Sequence, residues 1–253
     1  WFLERIKNSS LIVRHRKLMH TVEIPTNLLG RALRRFSYIN TIDVTDNSDY
    51  LILDWFDKIK EMARYALSSK ELSKFNREVV ESWKRKFEKK KAHLLLARRL
   101  YLSSPGTCSI AFYSKEPTIG IDLWSLRNIN AEDAKILALW LNSSINILQL
   151  LYMGVACEGP WMKLHDYMFD RLLVPNPEKL TKKEREKLLK IFEEIKNTPL
   201  PSITEQFRKK SNIRKTIDKT FLEIIGDKEV TDEILENLYA SILDEIELIG
   251  KLM

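Results

Sequence analysis

The residues best suited to chemistry lie together near the middle of the sequence, from Cys157 to His165. Within these nine residues a thiol, a carboxylate, a Gly-Pro pair, a tryptophan, a lysine and an imidazole follow one another. Cys157 with His165 has the residue types of a nucleophile and its base, and Glu158 with Asp166 those of an acid–base pair. The alternative is a small buried thiol beside surface carboxylates, and we adopt this alternative.

Sequence signatures of other enzyme classes are absent. The chain has no Gly-rich phosphate loop, no G-x-G-x-x-G and no G-x-S-x-G. Its two cysteines and four histidines do not have the spacing of a metal site. The Asn-Pro-Pro-aromatic motif of amino-methyltransferases is also missing, and Val174-Pro175-Asn176-Pro177 is only superficially like it. We therefore predict no catalytic residue and no metal site in this chain.

A long apolar segment leads into the Gly-Pro-Trp region. Residues 134–151 predict one helix that is apolar on nearly all faces, and such a helix must be buried. Polar residues, including Asn142 and Ser143, interrupt the apolar run, so no membrane span is indicated. Residues 170–174 predict a returning strand closed by Pro175. A buried helix that supports a polar loop is a common way to build a binding site.

The remaining patterns predict an α/β (α+β) fold. We expect a mixed β-sheet recognition domain packed with helices over residues 1–177 and a helical C-terminal segment over residues 178–253. Segments rich in β-branched residues and bounded by turn clusters predict strands at 11–16, 21–24, 41–44, 50–53, 94–102, 108–113 and 118–124. Residues 41–44 and 50–53 flank the turn-forming residues 45–49 and predict a hairpin. Residues 26–36 predict a short helix, and residues 57–91 a helical region with a break at Ser68-Ser69. Thr181 and Glu184 predict a capping box.

The net charge of +7 is unevenly distributed along the 253 residues. Residues 57–91 contain 12 Lys and Arg against 6 Asp and Glu, residues 179–219 contain 13 against 6, and residues 220–253 contain 2 against 9. Basic stretches of this kind attract polyanions, above all nucleic acid. The alternative is the solvated Lys- and Glu-rich helices of a thermophile, which the low glutamine content also favours.

Two cysteines do not make a disulfide framework, so a reduced cytoplasmic location is expected. The first residue is Trp1 rather than Met, which suggests a fragment of a longer protein with an activity encoded upstream.

Four segments, taken in order, resemble a known family. The first is residues 24–52, an arginine-bearing helix followed by an extended Tyr50-Leu51-Ile52 strand, and the second is residues 96–114, beginning Leu96-Ala97-Arg98-Arg99. The third is residues 137–144, an apolar helix with Leu141-Asn142-Ser143, and the fourth is residues 159–177, a Trp/Lys loop leading into a short strand that closes with proline. Together they resemble the C-terminal target-recognition domain of N6-adenine DNA methyltransferases of the TaqI-like and fused restriction-modification kind.

This resemblance implies a division of labour between domains. In that family the catalytic motif and the S-adenosyl-L-methionine site lie in a separate N-terminal domain. The chain would therefore hold no cofactor and would not catalyse a reaction alone. Its partners would be double-stranded DNA and the N-terminal catalytic domain of the same polypeptide, to which it would help present a flipped adenine.

Under this interpretation, cationic and amide side chains contact the duplex. The candidate phosphate contacts are Arg98, Arg99, Lys115, Lys163 and residues 84–91, and the candidate base contacts are Arg34, Arg35, Asn142 and His165, with Ser143 beside them. Trp161 either stacks on a base or anchors its own loop. Asn142 and Ser143 could equally be satisfied by neighbouring backbone, and residues 84–91 could be a plain solvated face.

Two other functions remain open from sequence. The helical last third, with its acidic end, could dock a protein partner or the missing catalytic domain. The chain could also be an RNA-binding domain of an RNA-modifying enzyme, which would prefer single-stranded or A-form substrates.

Overall fold

The computed structural model of the chain describes residues 1–7, 9–15, 19–153, 155–156, 160–226 and 230–251. The chain divides into two units: unit 1 comprises residues 1–32 and 49–90, and unit 2 comprises residues 33–48 and 91–253. Both units contain strands and helices, and the predicted α/β class is confirmed.

Unit 1 combines short antiparallel strands with three helices. Its elements are β1 (Phe2–Lys7), β2 (Ser10–Arg14), β3 (Thr21–Pro25), β4 (Leu29–Leu33, which ends in unit 2), β5 (Asp49–Ile52), α1 (Phe56–Ala63), α2 (Ser69–Ser73) and α3 (Arg77–Lys90). The strand order β1-β2-β3 is antiparallel throughout. Val22 and Ile24 alternate with exposed residues in β3 and pack with Met62 of α1. The predicted break at Ser68-Ser69 is confirmed, because Ser68 caps α2.

The predicted helix at 26–36 is wrong. Only Thr26–Leu28 form one 3-10 turn, and β4 follows, paired with β5 so that Gly30 lies opposite Leu51. A Cβ on Gly30 would lie 2.6 Å from Cζ of Phe87 and 2.7 Å from Cδ1 of Leu53, so a larger residue at this strand position would require both side chains to shift. The predicted pairing of 41–44 with 50–53 is also wrong, since β5 pairs with β4 instead.

Unit 2 has a central antiparallel sheet surrounded by helices. Its elements are β6 (Ala92–Ala97), β7 (Arg99–Leu100), β8 (Ala111–Gly120), β9 (Leu123–Leu126), α4 (Ala131–Leu141), α5 (Ser144–Met153), β10 (Val155–Ala156), β11 (Met162–Lys163), α6 (Lys182–Ile195), α7 (Ile203–Arg208), α8 (Asn212–Ile224) and α9 (Asp232–Lys251). β6 lies between β8 and β9, and β11 lies between β10 and β7 in a second small sheet.

One core in unit 2 contains residues of this sheet together with residues of helices that come before and after Pro177 in the sequence. Leu94, Leu95 and Leu96 of β6 are fully buried, and α4 packs on β6, β8 and α6. Phe192 of α6 and Phe221 of α8 belong to the same core. The predicted capping box of Thr181 and Glu184 begins α6. Helices after residue 178 therefore share one compact unit with the sheet, and the units divide elsewhere than at Pro177.

The apolar segment 134–151 is two helices rather than the one that we predicted. Asn142 ends α4 by donating from Nδ2 to the Ala138 carbonyl, and Ser143 Oγ accepts from the Asn146 amide in the first turn of α5. Among the described residues, no single helix has the length and hydropathy of a membrane span; only α4 and α5 taken together reach them, with a bend of 69°.

The predicted strand at 170–174 is also wrong. A 3-10 helix covers Asp166–Arg171, and no strand follows in residues 172–176. Side chains take the place of a neighbouring strand: the Gln149 amide bonds both the N–H and the carbonyl of Leu173, and Trp140 Nε1 donates to the same carbonyl. These side-chain hydrogen bonds hold the segment at Leu173 in place without strand pairing.

Candidate functional site

A cavity of about 490 Å³ in unit 2 brings several of the predicted residues together. We call it the cationic pocket; it is lined by Arg34, Arg35, Phe36, Ser37, Arg99, Ile121, Asp122, Trp161 and Lys163. Besides residues 84–91, we named ten single residues as candidate DNA contacts, and five of them line the pocket, although they come from three distant parts of the sequence: Arg34, Arg35, Arg99, Trp161 and Lys163.

Strand pairing places two of the cations directly opposite each other. Arg99 of β7 is the partner of Lys163 in β11, and Leu100 is the partner of Met162. Side chains alternate along a strand, so the two apolar residues are buried while Arg99 is exposed and Lys163 is half-buried. Opposed residues in an antiparallel pair have Cβ atoms about 5 Å apart, so the two cations share one small area.

Arg34 and Arg35 are held by an extended segment that is fixed at both ends. The Leu33 carbonyl before them accepts from the Ile121 amide at 3.0 Å. After them, Phe36 packs against Phe112 of the core, with ring centroids 5.9 Å apart. Both arginines are exposed between these two anchors, because the chain leaves β4 there and runs along the cavity.

Arg98 organises the pocket through its backbone rather than lining it. Its N–H donates to the Asp122 carbonyl at 3.1 Å, and its carbonyl accepts from the Leu164 amide at 2.9 Å. Its guanidinium lies over Trp124, 4.9 Å from the ring centroid, and Trp124 Nε1 donates to the Leu164 carbonyl. These contacts hold β7, the turn at Asp122 and the end of β11 at fixed positions.

Trp161 has features of both roles predicted from the sequence, stacking on a base and anchoring its own loop. Its ring packs against Tyr101, with centroids 5.6 Å apart and an interplanar angle of 54°, which anchors the loop. The residue is nevertheless 41% exposed and lines the cavity. One part of the indole is therefore available for stacking.

The electrostatics of the pocket favour an anion. Arg35, Arg99 and Lys163 form no ion pair with any residue that the structure describes. Among the described residues of the lining, four cations and one carboxylate, that of Asp122, give a formal charge of +3. Like charges directly opposite in a sheet destabilise it, and a bound anion would offset that repulsion for Arg99 and Lys163.

The basic stretch 179–219 is largely neutralised within the fold. Cations of the 179–219 stretch pair with carboxylates of the acidic 220–253 stretch: Lys187 with Glu223, Arg208 with Glu247, Lys210 and Lys215 with Glu236, and Lys219 with Asp232. Arg185 pairs with Glu132 and Asp133. The basic stretch 179–219 is therefore no sign of a nucleic-acid surface.

Lys115 and His165 lie outside the cationic pocket. Lys115 is exposed in the irregular part of β8, where its amide donates to Thr45 Oγ1. The His165 ring stacks on Tyr167 with centroids 5.3 Å apart, and its backbone begins the 3-10 helix at Asp166. Contact of either residue with DNA stays a prediction. In unit 1, residues 84–86 and 88–90 of α3 are exposed, and Phe87 between them is buried.

The structure supports the alternative stated for Asn142 and Ser143, that neighbouring backbone groups satisfy the hydrogen bonds of their side chains. Asn142 Oδ1 accepts from the Ile110 and Ala111 amides, and Nδ2 donates to the Ala111 and Ala138 carbonyls. Ser143 is 1% exposed and caps α5. Because both side chains are buried and already bonded, we correct our prediction and leave them out of the DNA-contacting surface.

Two kinds of chemical group considered from the sequence, metal ligands and thiols, can be located among the described residues. No group of three or more His, Cys, Asp or Glu among them could hold a metal ion. Burial raises the pKa of the Cys108 thiol, which keeps it protonated. Cys157 and Glu158, considered above with His165 and Asp166, lie outside the described residues.

Sequence reasoning missed part of the pocket lining, above all Asp122. We predicted one strand over 118–124, whereas β8 ends at Gly120, the chain turns, and β9 begins at Leu123. Asp122 has a φ of 59°, in the left-handed region that aspartate adopts more readily than most residues. The Gly-Ile-Asp sequence was the available signal for a turn.

Comparison with known proteins gives one informative likeness. No family model matches the sequence, and no curated protein matches it. A solved structure of the type IIG restriction endonuclease BpuSI is similar, with a TM-score of 0.51 and 19% identity. The similar region covers 88% of this chain and 27% of that one, so the chain spans about a quarter of that protein's length. At this identity the likeness shows the fold.

Proposed function

We propose that the chain binds double-stranded DNA sequence-specifically, as the target-recognition part of an adenine-N6 DNA methyltransferase of a restriction-modification system. The observation that supports this most is the directly opposed pair Arg99 and Lys163, joined by Arg34 and Arg35 around one cavity. Guanidinium and ammonium groups in such an arrangement suit phosphate oxygens and the guanine edge.

Three features favour a nucleic acid over a small anion. The cavity is large for one phosphate, at about 490 Å³. Exposed Trp161 adds an aromatic surface, which a base or sugar would contact. The similar fold occurs in a restriction endonuclease, a class of enzyme that acts on DNA.

Catalysis belongs, in this proposal, to a domain outside the chain. The S-adenosyl-L-methionine site and the methyl transfer would lie there, and this chain would position the duplex and help present the flipped adenine. The N-terminal catalytic domain of the same polypeptide would be its protein partner.

Charge-driven protein docking by the acidic end has less support. Glu223, Asp232, Glu236 and Glu247 already pair with lysines and arginines inside unit 2. They are therefore not available as an acidic docking surface without loss of those pairs.

Duplex binding as a function of salt tests the proposal. Affinity of the chain for a DNA duplex should fall steeply as salt rises, because cations at the protein surface release counterions from the phosphates. Arg99→Gln and Lys163→Gln should each weaken binding and each reduce the slope of log affinity against log salt by about 1.

The matched control is Lys183→Gln, which removes an exposed cation of α6 away from the pocket. It should leave affinity and slope unchanged. Equal effects of all three variants would contradict a role for the pocket, and tighter binding to an RNA duplex than to DNA would favour the RNA-binding alternative.

A further inference from the structure

The turn between β8 and β9 presents one acidic residue, Asp122, to the cationic pocket. Three backbone anchors hold this turn. The Ile121 amide donates to the Leu33 carbonyl, the Asp122 carbonyl accepts from the Arg98 amide, and Leu123 begins the pairing of β9 with β6 opposite Ala97. The carboxylate is exposed on a turn that is fixed on both sides.

A carboxylate is out of place in a surface that only binds phosphate. Among the described residues that line the pocket, Asp122 alone is acidic, and it forms no ion pair with a described residue. Its charge would repel a phosphate oxygen at the same spot. An ionised carboxylate only accepts hydrogen bonds, so its natural partner on a duplex is an N–H donor.

We propose that Asp122 is a specificity-determining residue, whose carboxylate accepts a hydrogen bond from the N4 amino group of a cytosine in the major groove. This inference rests on the proposed function, since it requires a duplex at the cationic pocket. The neighbouring arginines supply the complementary chemistry, because a guanidinium donates to O6 and N7 of the guanine paired with that cytosine.

The choice of cytosine follows from the pattern of groups along the groove. Cytosine N4 lies between its own C5–H, which does not repel a carboxylate, and O6 of the paired guanine, which one of the neighbouring arginines would occupy. Adenine N6 lies between two acceptors, its own N7 and the O4 of the paired thymine, which repel carboxylate oxygens on either side. Asp122 therefore selects a C·G pair over an A·T pair.

The main alternative is that Asp122 orients the arginines and contacts no base. Asp122→Asn separates the two roles, since it keeps the size of the side chain and replaces the acceptor-only carboxylate by an amide that also donates. A positioning role would alter all contacts of the pocket together, whereas a base-reading role alters one position of the recognised sequence.

The test is selection of duplexes from a pool with a randomised central segment, with sequencing of those retained by the 253-residue chain. The wild-type chain should enrich a C·G pair at one position by about tenfold over the other pairs. Asp122→Asn should lose the preference at that position and keep those at the others. Asp244→Asn, which removes an exposed carboxylate from α9, is the control and should give the wild-type sequence pattern.

The remaining outcomes distinguish failure of the base-reading role of Asp122 from failure of the proposed DNA binding. An unchanged pattern in Asp122→Asn, or loss of preference at every position with an unchanged melting temperature, overturns the base-reading role. A wild-type pool without any favoured C·G pair also overturns it, while salt-dependent retention of duplex would still support DNA binding. No retention of duplex by the wild-type chain would remove the proposed function itself.

Discussion

At the residue scale, the polar side chains of the apolar helices serve the interior of unit 2. Asn142 satisfies the backbone of the strand that begins at Ala111, and its own carbonyl accepts from Arg214 of α8. Asp218 accepts from the Ser144 amide and from the Tyr239 hydroxyl. Burial raises the pKa of Asp218 and lowers the pKa of Arg214. This buried network fixes how α5, α8 and α9 meet.

Asn142→Ala should be strongly destabilising. The change leaves the Ile110 amide and the Ala111 carbonyl without the partners that Asn142 provides and opens a small cavity, which together cost about 2–4 kcal/mol. Urea unfolding followed by circular dichroism measures the loss in the free energy of unfolding.

Asn237→Ala, an exposed substitution on α9, is the control and should change that free energy by less than about 0.5 kcal/mol. If the buried and the exposed variants unfold at the same urea concentration, Asn142 has no structural role and its place in the DNA-contacting surface must be reconsidered.

At the element scale, α9 acts as an acidic partner for the basic helices before it. Glu236 pairs with Lys210 after α7 and with Lys215 of α8, and Asp232 pairs with Lys219. Hydrogen bonds from Lys210 and Lys215 lower the pKa of Glu236. Along the adjoining stripe of the helix, Leu235, Tyr239, Ile242 and Ile246 are buried in the core. Burial of this face sets the position of α9, and the ion pairs add to it at the surface.

Glu236→Gln should destabilise the chain at neutral pH, and by less in high salt, because exposed pairs are screened. Since the folded pKa of Glu236 is lowered, its contribution is fully present above the unfolded value of about 4.3 and is lost as pH falls through the folded value. Thermal unfolding of wild type and variant should therefore converge in acid.

Glu245→Gln is the matched control on the same helix, at an exposed position. It should match wild type at every pH tested. A difference between wild type and Glu236→Gln that persists in acid would show that packing, and not the ion pairs, is responsible.

At the scale of the whole molecule, the net charge resides in one unit. Unit 1 contains 17 Lys and Arg against 10 Asp and Glu, which gives +7, whereas unit 2 contains 25 of each. In unit 2 the ion pairs consume much of the positive charge, and the cationic pocket is a local exception. Under the proposed function, unit 1 supplies attraction to any duplex and the pocket supplies discrimination.

A triple substitution of Arg85, Lys86 and Lys90 in α3 by glutamine should weaken binding to all duplexes alike. The slope of log affinity against log salt should fall by up to about 3, and the preferred sequence should not change. Titration of labelled duplexes of different sequence at several salt concentrations measures both quantities.

The same number of charges removed from α6 and the turn before it, at Lys179, Lys183 and Lys190, should have little effect and serves as the control. Unchanged affinity in the α3 variant would mean that this face is only solvated, and a changed sequence preference would contradict the division of roles between the units.

The sequence by itself determined the features that depend on near neighbours. The α/β class, the break at Ser68 and the capping box of Thr181 and Glu184 are set by local hydrogen bonds and short-range periodicity. Through the family resemblance it also named Arg34, Arg35, Arg99, Trp161 and Lys163 as candidate DNA contacts; the structure brings these five to one cavity, and their contact with DNA stays a prediction.

Only the tertiary structure decided what depends on contacts between distant segments. It placed Arg99 opposite Lys163, buried Asn142 against the strand that begins at Ala111, and brought Asp122 into the pocket. It also paired the acidic α9 with the basic helices, so the basic stretch 179–219 does not indicate a nucleic-acid surface. Burial and strand pairing are properties of the whole chain, and the residue types along one segment do not fix them.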